Sequence, residues 1–369
     1  MGIPEQRDLA EARQTFGKWL AMRLPGATDV EVGELSSPST SGFSNETLLL
    51  DASWTEGGAR RSEGLVVRVK PTRHTVFMES EFEAQFKVMS ALRQHTDVPL
   101  PPMRWFEEDD TWLGAPFYVM GRVDGTAPAD SPPYTMEGFL FDGTPEQQRT
   151  LWTTGIEAMA KVHNADWRAL GFDFLDKPER GKTGLDQQLA YYLEYYDWAR
   201  QGSPQPTAQA ALDWILANRP DDDGRPIGLV WGDSRIGNIL FDDFRPVAVL
   251  DWEMVTLGDP QEDLAWWIFL DKHMAEGVGL PRLPGFPSYD DTVAQWESLT
   301  GRKADHLFFY EMFAGFRFAV VMIRLAQLMV DFEVLPPGND MATNNIVTRL
   351  LASMLELPPP GPAPMTPGY

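Results

Sequence analysis

Two neighbouring stretches decide the fold, LVWGDSRIGN at residues 229–238 and VLDWE at residues 249–253. The first ends in a loop that carries Asp233 and Asn238, and the second places Asp251 at the end of a β-like run. A predicted hairpin between them can fold back and bring two carboxylates and one amide oxygen together. Oxygen ligands of this kind suit Mg²⁺, which binds a few protein oxygens together with water and nucleotide phosphates.

The same residue types also serve as ordinary turn formers and strand caps. Any one of them alone would more often be a turn residue, and only the full set at this spacing favours chemistry. Phosphoryl transfer needs a metal that neutralises developing charge and a carboxylate that orients and deprotonates a hydroxyl. The cluster therefore predicts a phosphotransferase site, with a metal-dependent phosphatase built on the same residues as a further alternative.

These motifs, together with LGDPQEDLA at residues 257–265, resemble those of the phosphotransferase family that includes aminoglycoside phosphotransferases, choline-kinase-like enzymes and related small-molecule kinases. The resemblance covers most of residues 30–270. It implies an α+β, protein-kinase-like bilobal fold. In that fold a small N-terminal β-rich lobe contains one helix, and a larger C-terminal lobe is mainly helical.

The resemblance also implies roles for individual residues. Asp233 would be the catalytic base, Asn238 and Asp251 would ligate Mg²⁺, and ATP would donate the phosphoryl group. His163 would pack and hydrogen-bond near the catalytic loop without acting as the base. Asp263 would bond the backbone of that loop and hold its shape.

Two departures from the family pattern motivate an alternative. The family usually has His before Gly-Asp, where this chain has Trp231, so the loop must pack differently. The family spacing places Gln85 where a helical Glu usually pairs with the phosphate-binding cation, and Glu81 lies one turn earlier. Either side chain can pair with that cation. The alternative to an active kinase is a nucleotide-binding protein of the same fold with little or no kinase activity.

Residues expected to hold the nucleotide lie in the first third of the chain. In loop 39–47, small residues let backbone N–H groups approach phosphates, although such loops are also common hairpin turns. The candidates there are Ser41, Gly42, Phe43, Ser44 and Asn45. On a following predicted strand, Arg68 takes the place of the cation that grips the α- and β-phosphates, with Lys70 as second choice. Both could instead be ordinary solvent-facing strand cations.

The segment FYVMGRVDG at residues 117–125 resembles the hinge of the family. Adenine would bond the Gly121 carbonyl and the Val123 amide, with Met120 behind it; otherwise the segment is a buried strand leaving its sheet. We predict an N-terminal nucleotide-binding lobe over 1–121 with the hinge at its end. A helical catalytic and acceptor-binding lobe over 122–356 and a Pro-rich tail over 357–369 follow.

Local patterns predict the elements that carry these residues. Strands are predicted at 30–35, 46–54, 64–70 and 116–120, with a hairpin loop at 55–62 and a helix at 78–94. Further helices are predicted at 147–166, 185–201, 206–218, 259–272, 303–333 and 341–356, and short strands at 238–241 and 247–250. Asp259, Pro260 and Glu262 match a capping-box-like helix start. Segment 124–146 is expected to help shape the acceptor pocket.

Composition limits the class of protein. The chain has 31 basic and 54 acidic residues, a net charge of −23, which disfavours nucleic acid as a partner. It has no cysteine, which excludes disulfides and thiolate chemistry and fits a reducing cytoplasm. The start, MGIPEQRDLAEARQ, lacks the apolar core of a secretory signal. The apolar run 308–330 carries three charged residues, which predicts a buried helix without a membrane partner.

The resulting prediction is a cytoplasmic, ATP- and Mg²⁺-dependent kinase. It would move the γ-phosphoryl group of ATP to a hydroxyl of a small molecule, with an aminoglycoside as one candidate acceptor. The sequence leaves the acceptor and the oligomeric state open.

Overall fold

The computed structural model describes residues 7–37, 45–72, 74–79, 81–221, 224 and 227–362. Contacts within the chain divide it into two compact units. The first comprises Met1–Arg93 with Pro101–Val123, and the second comprises Gln94–Leu100 with Asp124–Tyr369. The first unit is built on an antiparallel sheet and the second mainly on helices, as expected for an α+β protein.

The first unit contains a five-stranded antiparallel sheet with the strand order β1-β2-β3-β5-β4. Its strands are β1 (Thr28–Val32), β2 (Glu46–Glu56), β3 (Ala59–Val69), β4 (Met103–Glu107) and β5 (Phe117–Gly121). Two helices accompany the sheet, α1 (Leu9–Arg23) and α2 (Phe82–His95). The last two residues of α2 are counted with the second unit.

The two helices cover opposite faces of this sheet. Successive side chains of a strand point to opposite faces, and β5 demonstrates the rule. The ring of Phe117 contacts Trp19 of α1, with 4.9 Å between centroids. The ring of Tyr118 contacts Phe82 and Phe86 of α2, at 5.0 and 6.0 Å. Both faces of the central strands are therefore buried.

Three predictions for this unit need correction. The hairpin between β2 and β3 is shorter than 55–62, because the ladder continues through Glu56 and Ala59 and the turn needs only Gly57 and Gly58, both at positive φ. Helix α1 is absent from the predicted elements, although its buried Phe16, Trp19 and Leu20 have helical spacing. Strand β4 is also absent, because the prolines that precede it suggest a break.

The second unit contains seven of the described helices and two short antiparallel strand pairs. The helices are α3 (Pro145–His163), α4 (Leu185–Arg200), α5 (Pro206–Ala217), α6 (Gln261–Met274), α7 (Tyr289–Thr300), α8 (Leu307–Asp331) and α9 (Ile346–Met354). Strand β6 (Gly228–Val230) pairs with β9 (Thr256–Gly258), and β7 (Ile239–Asp242) pairs with β8 (Arg245–Val249). Three of these elements were not predicted: the strands β6 and β9, and helix α7, which buries just Thr292 and Trp296.

Helix α8 is the central helix of this unit. Among the described residues it is the one helix long and apolar enough to cross a membrane by length and composition. It packs against α4, α5, α6 and α9, and 72% of its most apolar window is buried. Its buried Arg317 bonds the backbone of the loop after β6. The run 308–330 therefore forms a largely buried helix, as its charges predicted.

Candidate active site

The loop that follows β6 carries the predicted catalytic residue. Because β6 pairs antiparallel with β9, the chain that leaves β6 lies beside the chain that enters β9. Gly232 has a φ of +97°, and a side chain at this position would fall on the carbonyl group of Met254. Glycine alone adopts this conformation without strain or collision. This close approach explains the Gly that precedes Asp233.

Asp263, in the first turn of α6, holds the start of the loop from within the protein. Its Oδ2 accepts a hydrogen bond from the Trp231 N–H at 2.6 Å, and its Oδ1 accepts one from the Gly232 N–H at 2.8 Å. The Ser234 hydroxyl donates to the Asp263 carbonyl at 2.7 Å. A buried N–H left without a partner costs about 1–3 kcal/mol. Helix α6 therefore fixes the loop through several bonds.

His163, at the end of α3, lies on the other side of Asp263. Its Nε2 is 3.0 Å from Asp263 Oδ2, and its Nδ1 accepts a hydrogen bond from the Trp296 indole at 2.9 Å. Because Nδ1 accepts, Nε2 carries the ring hydrogen and donates a hydrogen bond to Asp263 Oδ2. The ring is buried. His163 is thus placed to support Asp263 and has no open path to a reacting hydroxyl.

Three N–H donors surround the Asp233 carboxylate. Its Oδ1 accepts from the Trp266 indole at 2.8 Å, and its Oδ2 accepts from Asn238 Nδ2 at 2.6 Å. Arg235 Nε lies 3.4 Å from the same Oδ2. The side chain of Asp233 nevertheless keeps 16% of its surface exposed. The carboxylate is therefore oriented by its neighbours and still accessible to a small molecule.

Arg235 links Asp233 to an acidic residue of the preceding segment. Its Nη1 donates to both carboxylate oxygens of Asp130, at 2.6 and 2.7 Å. Burial alone would lower the pKa of Arg235, but the carboxylates of Asp130, Asp233 and Asp251 raise it above its ordinary value. The permanent cation compensates part of the negative charge gathered around this loop.

The β7–β8 hairpin brings Asp251 back towards Asn238. The hairpin turns at Asp243 and Phe244, both at positive φ, as two-residue hairpin turns require. At its open end the Leu250 N–H donates to the Asn238 carbonyl at 2.8 Å. Asp251 follows at a φ of +58°, which is uncommon for a residue with a side chain. The structure therefore places all three predicted cluster residues at one end of the hairpin.

Trp231 connects the two halves of this cluster. The indole is fully buried, and its Nε1 donates to the carbonyls of Leu250 and Asp251, at 2.9 and 3.0 Å. The Trp252 ring lies against it, with 6.1 Å between centroids. The side chain that replaces the usual His therefore bonds the backbone around Asp251.

Two buried ionisable residues, Arg317 and Glu262, lie beneath the loop. Arg317 of α8 donates through Nη2 to the Gly232 carbonyl at 3.1 Å, and its guanidinium lies 4.8 Å from the Trp266 ring centre. Its Nη1 is 3.9 Å from Glu262 Oε2. Burial raises the pKa of Glu262 to about 8. A hydrogen bond from the Asp259 backbone lowers the pKa of Glu262 against this effect of burial. The Asp259 carboxylate accepts from the backbone N–H of Gln261 at 3.0 Å, just where α6 begins.

Several of these supporting residues were missed by sequence reasoning. Trp266 and Asp130 carry no local pattern that links them to Asp233. Arg317 does carry a signal, because a charge inside an apolar helical run must find a buried partner. The charge of Arg317 within the run 308–330 therefore indicates a buried ion pair as well as the absence of a membrane span.

The candidate magnesium ligands form a compatible donor set. Asn238 turns its Nδ2 to the carbonyl and carboxylate of Asp233, which leaves the amide oxygen as the atom available to a cation. Asp251 adds a carboxylate from the facing end of the hairpin. Within the described ranges there is no group of three or more His, Asp and Glu side chains that could hold a metal ion. A site of carboxylate and amide oxygens fits Mg²⁺ bound jointly with phosphates.

The predicted nucleotide residues belong to the first unit. Ser41, Gly42, Phe43 and Ser44 lie outside the described residues, and Asn45 is buried just before β2. Arg68 lies on β3 between Thr47 of β2 and Tyr118 of β5, and its Nη1 donates to the Thr47 hydroxyl at 3.1 Å. The cation is thus on the central strand of the sheet.

The two candidate partners of this cation are both near the start of α2. Gln85 is buried, and its Oε1 lies 3.5 Å from the hydroxyl of Tyr118, which pairs with Arg68 across the sheet. Glu81 directly precedes α2, and its carbonyl accepts the Gln85 N–H at 3.1 Å.

The predicted hinge residues lie at the end of β5 and just beyond it. Met120 and Gly121 end β5 and are buried. Val123 is the last residue of the first unit. This places all three where the chain passes from one unit to the next.

Comparison with known proteins identifies a family and solved structures to which this chain is similar. The family model described as "Phosphotransferase enzyme family" matches residues 37–292. The crystal structure of a "putative aminoglycoside phosphotransferase" from Ralstonia eutropha JMP134 is similar, with a TM-score of 0.66 and 25% identity over 93% of this chain and 95% of that one. The ternary complex of aminoglycoside phosphotransferase APH(4)-Ia with ADP and hygromycin B has a TM-score of 0.52 and 17% identity, over 95% of this chain and all of that one. The protein-kinase-like α+β fold predicted from the sequence is confirmed.

Curated relatives carry different names. "Acyl-CoA dehydrogenase family member 11" of Gallus gallus is 31% identical over 68% of this chain and 30% of its own length. "Probable acyl-CoA dehydrogenase IBR3" of Arabidopsis thaliana is 29% identical over 76% of this chain and 34% of its own length. The chain thus spans about a third of the length of these relatives.

Proposed function

Since the chain belongs to the phosphotransferase enzyme family, we propose that it transfers the γ-phosphoryl group of ATP to a hydroxyl group of a small molecule. The observation that carries this proposal is the Asp233 carboxylate. It is oriented by the Trp266 indole and the Asn238 amide, and its side chain keeps access to solvent.

Asp233 acts as the base in this reaction. It accepts the proton of the acceptor hydroxyl while the hydroxyl oxygen forms a bond to the γ-phosphorus and the bond to the β–γ bridging oxygen breaks, leaving ADP. Trp266 and Asn238 hydrogen-bond the Asp233 carboxylate and keep its orientation fixed during the transfer. Asp263 and Arg317 keep the backbone of the loop in place.

Asn238 and Asp251 are the residues that would hold Mg²⁺. The ion supplies charge neutralisation on the transferring phosphates when it is bound. Arg68 would contact the α- and β-phosphates. Gly121 and Val123 would bond the adenine, with Met120 behind it. Ser41, Gly42, Phe43 and Ser44 are proposed to contribute to phosphate binding.

Two classes of acceptor follow from the names of similar proteins. One solved structure holds hygromycin B, which makes aminoglycosides one class to test. The curated relatives are named for acyl-CoA dehydrogenation. Acyl thioesters of coenzyme A that bear a hydroxyl therefore form the second class.

The test is release of ADP from ATP and Mg²⁺ in the presence of each acceptor, with Asp233→Asn as the comparison. This replacement keeps the size of the side chain and removes the basic oxygen. We expect kcat to fall by roughly 10²–10⁴-fold, while calorimetry detects nearly unchanged binding of Mg-ATP. Asp251→Ala should instead weaken Mg-ATP binding. Turnover of Asp233→Asn at the wild-type rate would contradict the role of Asp233.

Gln85 favours a second candidate, a nucleotide-binding protein with little kinase activity. Its amide faces Tyr118 at the place where the family usually has a Glu. If Mg-ATP raises the melting temperature of the protein and no acceptor of either class leads to ADP, this second candidate replaces the first.

A further inference from the structure

Asp130 lies beside the catalytic loop, although it belongs to a much earlier segment of the chain. Before it, Thr126 pairs with Phe241 of β7 through two backbone hydrogen bonds, at 2.9 and 3.0 Å. After it, the Tyr134 hydroxyl donates to Asp271 of α6 at 2.7 Å. The segment that carries Asp130 is therefore anchored to the β7–β8 hairpin on one side and to α6 on the other, by bonds that do not involve the Asp130 side chain.

The guanidinium of Arg235 lies between two carboxylates. Its Nη1 donates to both oxygens of Asp130, at 2.6 and 2.7 Å. Its Nε is 3.4 Å from Asp233 Oδ2, which is longer than the about 2.7–2.9 Å of a strong hydrogen bond between a cation and a carboxylate. The guanidinium is therefore bound to Asp130 and only adjacent to Asp233.

Gly237 makes room for this arrangement. A Cβ atom at this position would collide with Arg235 Nη1 and lie 3.0 Å from Asp130 Oδ1. Gly237 is not among the residues with a positive φ, so the backbone conformation alone does not require a glycine there. The loop is thus shaped to let the guanidinium cross its backbone and reach Asp130.

The Asp233 carboxylate can accept only a limited number of hydrogen bonds. A carboxylate offers about four lone-pair sites. The Trp266 indole takes one of them on Oδ1, and the Asn238 amide takes one on Oδ2. The acceptor hydroxyl must reach one of the sites that remain. A guanidinium that moved to full bonding distance would fill the second site on Oδ2 and compete with the acceptor.

The charge of Asp130 decides which carboxylate binds the guanidinium. Arginine stays charged in proteins, and a largely buried charge without a partner is strongly unfavourable. The Arg235 side chain is only 21% exposed. If Asp130 lost its carboxylate, Asp233 would be the carboxylate already within reach of the guanidinium.

We propose that Asp130 is a positioning residue of the transfer reaction. It binds the Arg235 guanidinium and keeps it from bonding Asp233, which leaves the base open to the acceptor hydroxyl. Asp130 thus acts on the reaction through Arg235. This proposal rests on the phosphotransferase function proposed above and adds a residue outside the two stretches that carry the base and the candidate magnesium ligands.

The first experiment measures ADP release by full-length Asp130→Ala, Arg235→Gln and the double variant. The acceptors are hygromycin B, kanamycin and 3-hydroxybutanoyl-coenzyme A. We expect Asp130→Ala to lower kcat by roughly 10-fold to 100-fold, because an ionic hydrogen bond to Asp233 must break before each transfer. The KM for Mg-ATP should change by less than about twofold, since the change affects the base and not the nucleotide.

The double variant separates this role from a merely structural one. Once Arg235 is replaced as well, no cation remains to occupy the base, and kcat should return to the level of Arg235→Gln. Two independent structural losses would instead add. The matched control is Asp186→Ala, which removes a partly exposed ion pair with Arg219 at the start of α4 and should leave kcat within about threefold of the wild-type value.

The second experiment locates the guanidinium and needs no acceptor. A crystal structure of Asp130→Ala should show a nitrogen of Arg235 within about 3 Å of Asp233 Oδ2, compared with 3.4 Å in the wild-type chain. If Asp130→Ala does not fold, Asp130→Asn removes the same charge, keeps the size of the side chain and takes its place in both experiments.

Three results would overturn the proposal and leave the phosphotransferase function standing, provided that transfer still depends on Asp233. The first is a double variant as slow as Asp130→Ala or slower. The second is a guanidinium that stays away from Asp233 in the Asp130→Ala crystal structure. The third is an unchanged kcat with a higher KM for the aminoglycosides, which would mean that the Asp130 carboxylate binds the acceptor itself.

Failure of the proposed function gives a different result. In that case the wild-type protein binds Mg-ATP but phosphorylates none of the three acceptors, and the role of Asp130 in transfer fails with the function. The crystal structure of Asp130→Ala still decides whether Asp130 keeps the guanidinium away from Asp233.

Discussion

Trp231 shows how one residue can replace another without copying its chemistry. An indole has one N–H donor and no acceptor, whereas an imidazole offers both. In this protein the single donor is shared between the carbonyls of Leu250 and Asp251, at 2.9 and 3.0 Å. The large ring fills the space between the catalytic loop and the hairpin end. Its bonds reach the backbone of a proposed magnesium ligand, so we expect Trp231 to affect metal binding more than proton transfer.

The substitution Trp231→Phe tests this role because it removes the indole N–H donor. The change keeps an aromatic ring and leaves two part-buried carbonyls without this donor, which should cost about 1–3 kcal/mol of stability. It should also weaken Mg-ATP binding by roughly tenfold, because residues that orient a metal ligand affect metal affinity on that scale. Isothermal calorimetry measures the affinity, and thermal melting measures the stability.

Trp252→Phe is the matched control for Trp231→Phe. Its indole also donates to a backbone carbonyl, that of Val249 at 3.2 Å, but does not reach Asp251. The control should lose stability while Mg-ATP affinity changes less. Equal losses of affinity in the two variants would mean that general loosening of the hairpin, and not the bond to Asp251, governs metal binding.

Helix α6 is the element that organises the site. Asp263 in its first turn holds the loop, and Trp266, three residues later on the same side, holds the Asp233 carboxylate. On a neighbouring face α6 buries Trp267, Leu270 and Met274 at helical spacing. One helix therefore supports the catalytic loop, orients the base and anchors both in the core of the second unit.

His273, near the end of α6, makes the stability of the folded protein depend on pH. Burial lowers the pKa of His273 from 6.5 to about 4, with Asp130 raising it and Arg235 lowering it further. Below pH 6.5 the unfolded chain binds a proton that the folded protein does not bind. Stability should therefore fall as the pH drops from 6.5 towards 4, by on the order of 3 kcal/mol in total. His273→Phe should flatten the fall over this range.

The measurement is the free energy of unfolding in urea at several pH values. The control variant is His95→Phe, at an exposed position of α2, and it should keep the wild-type slope. A wild-type slope in His273→Phe would show that the acid sensitivity arises from the carboxylates of the protein.

Some residues of the candidate site could be predicted from the sequence, whereas others are recognised only in the structure. Asp233, Asn238 and Asp251 could be found because they stand in two short stretches joined by a hairpin, so that local spacing already implies proximity. The catalytic loop is also contacted by Trp266, Arg317 and Asp130, which lie in segments distant along the chain. No local sequence pattern predicts these contacts. The position of Glu262 at the start of α6 could be read from the sequence, whereas the burial of its carboxyl opposite Arg317 depends on tertiary packing.

At the scale of the whole molecule the excess of acidic residues is the dominant feature. The chain has 54 acidic and 31 basic residues. Like charges held together in a compact state repel one another, and unfolding relieves that repulsion. Surface ion pairs such as Arg60–Glu31 work in the opposite direction, but each contributes only about 0–1 kcal/mol. We therefore expect repulsion to outweigh pairing.

Added salt should accordingly stabilise the protein. Raising the ionic strength from about 0.01 M to 0.15 M shortens the Debye length from about 30 Å to about 8 Å, so that distant like charges no longer interact. The melting temperature should rise by several degrees, as about 1 kcal/mol corresponds to roughly 2–4 °C for a large domain. Sodium and potassium chloride should act alike if screening is the cause. A melting temperature that falls with salt would mean that ion pairs contribute more to stability than the surplus of 23 negative charges takes away.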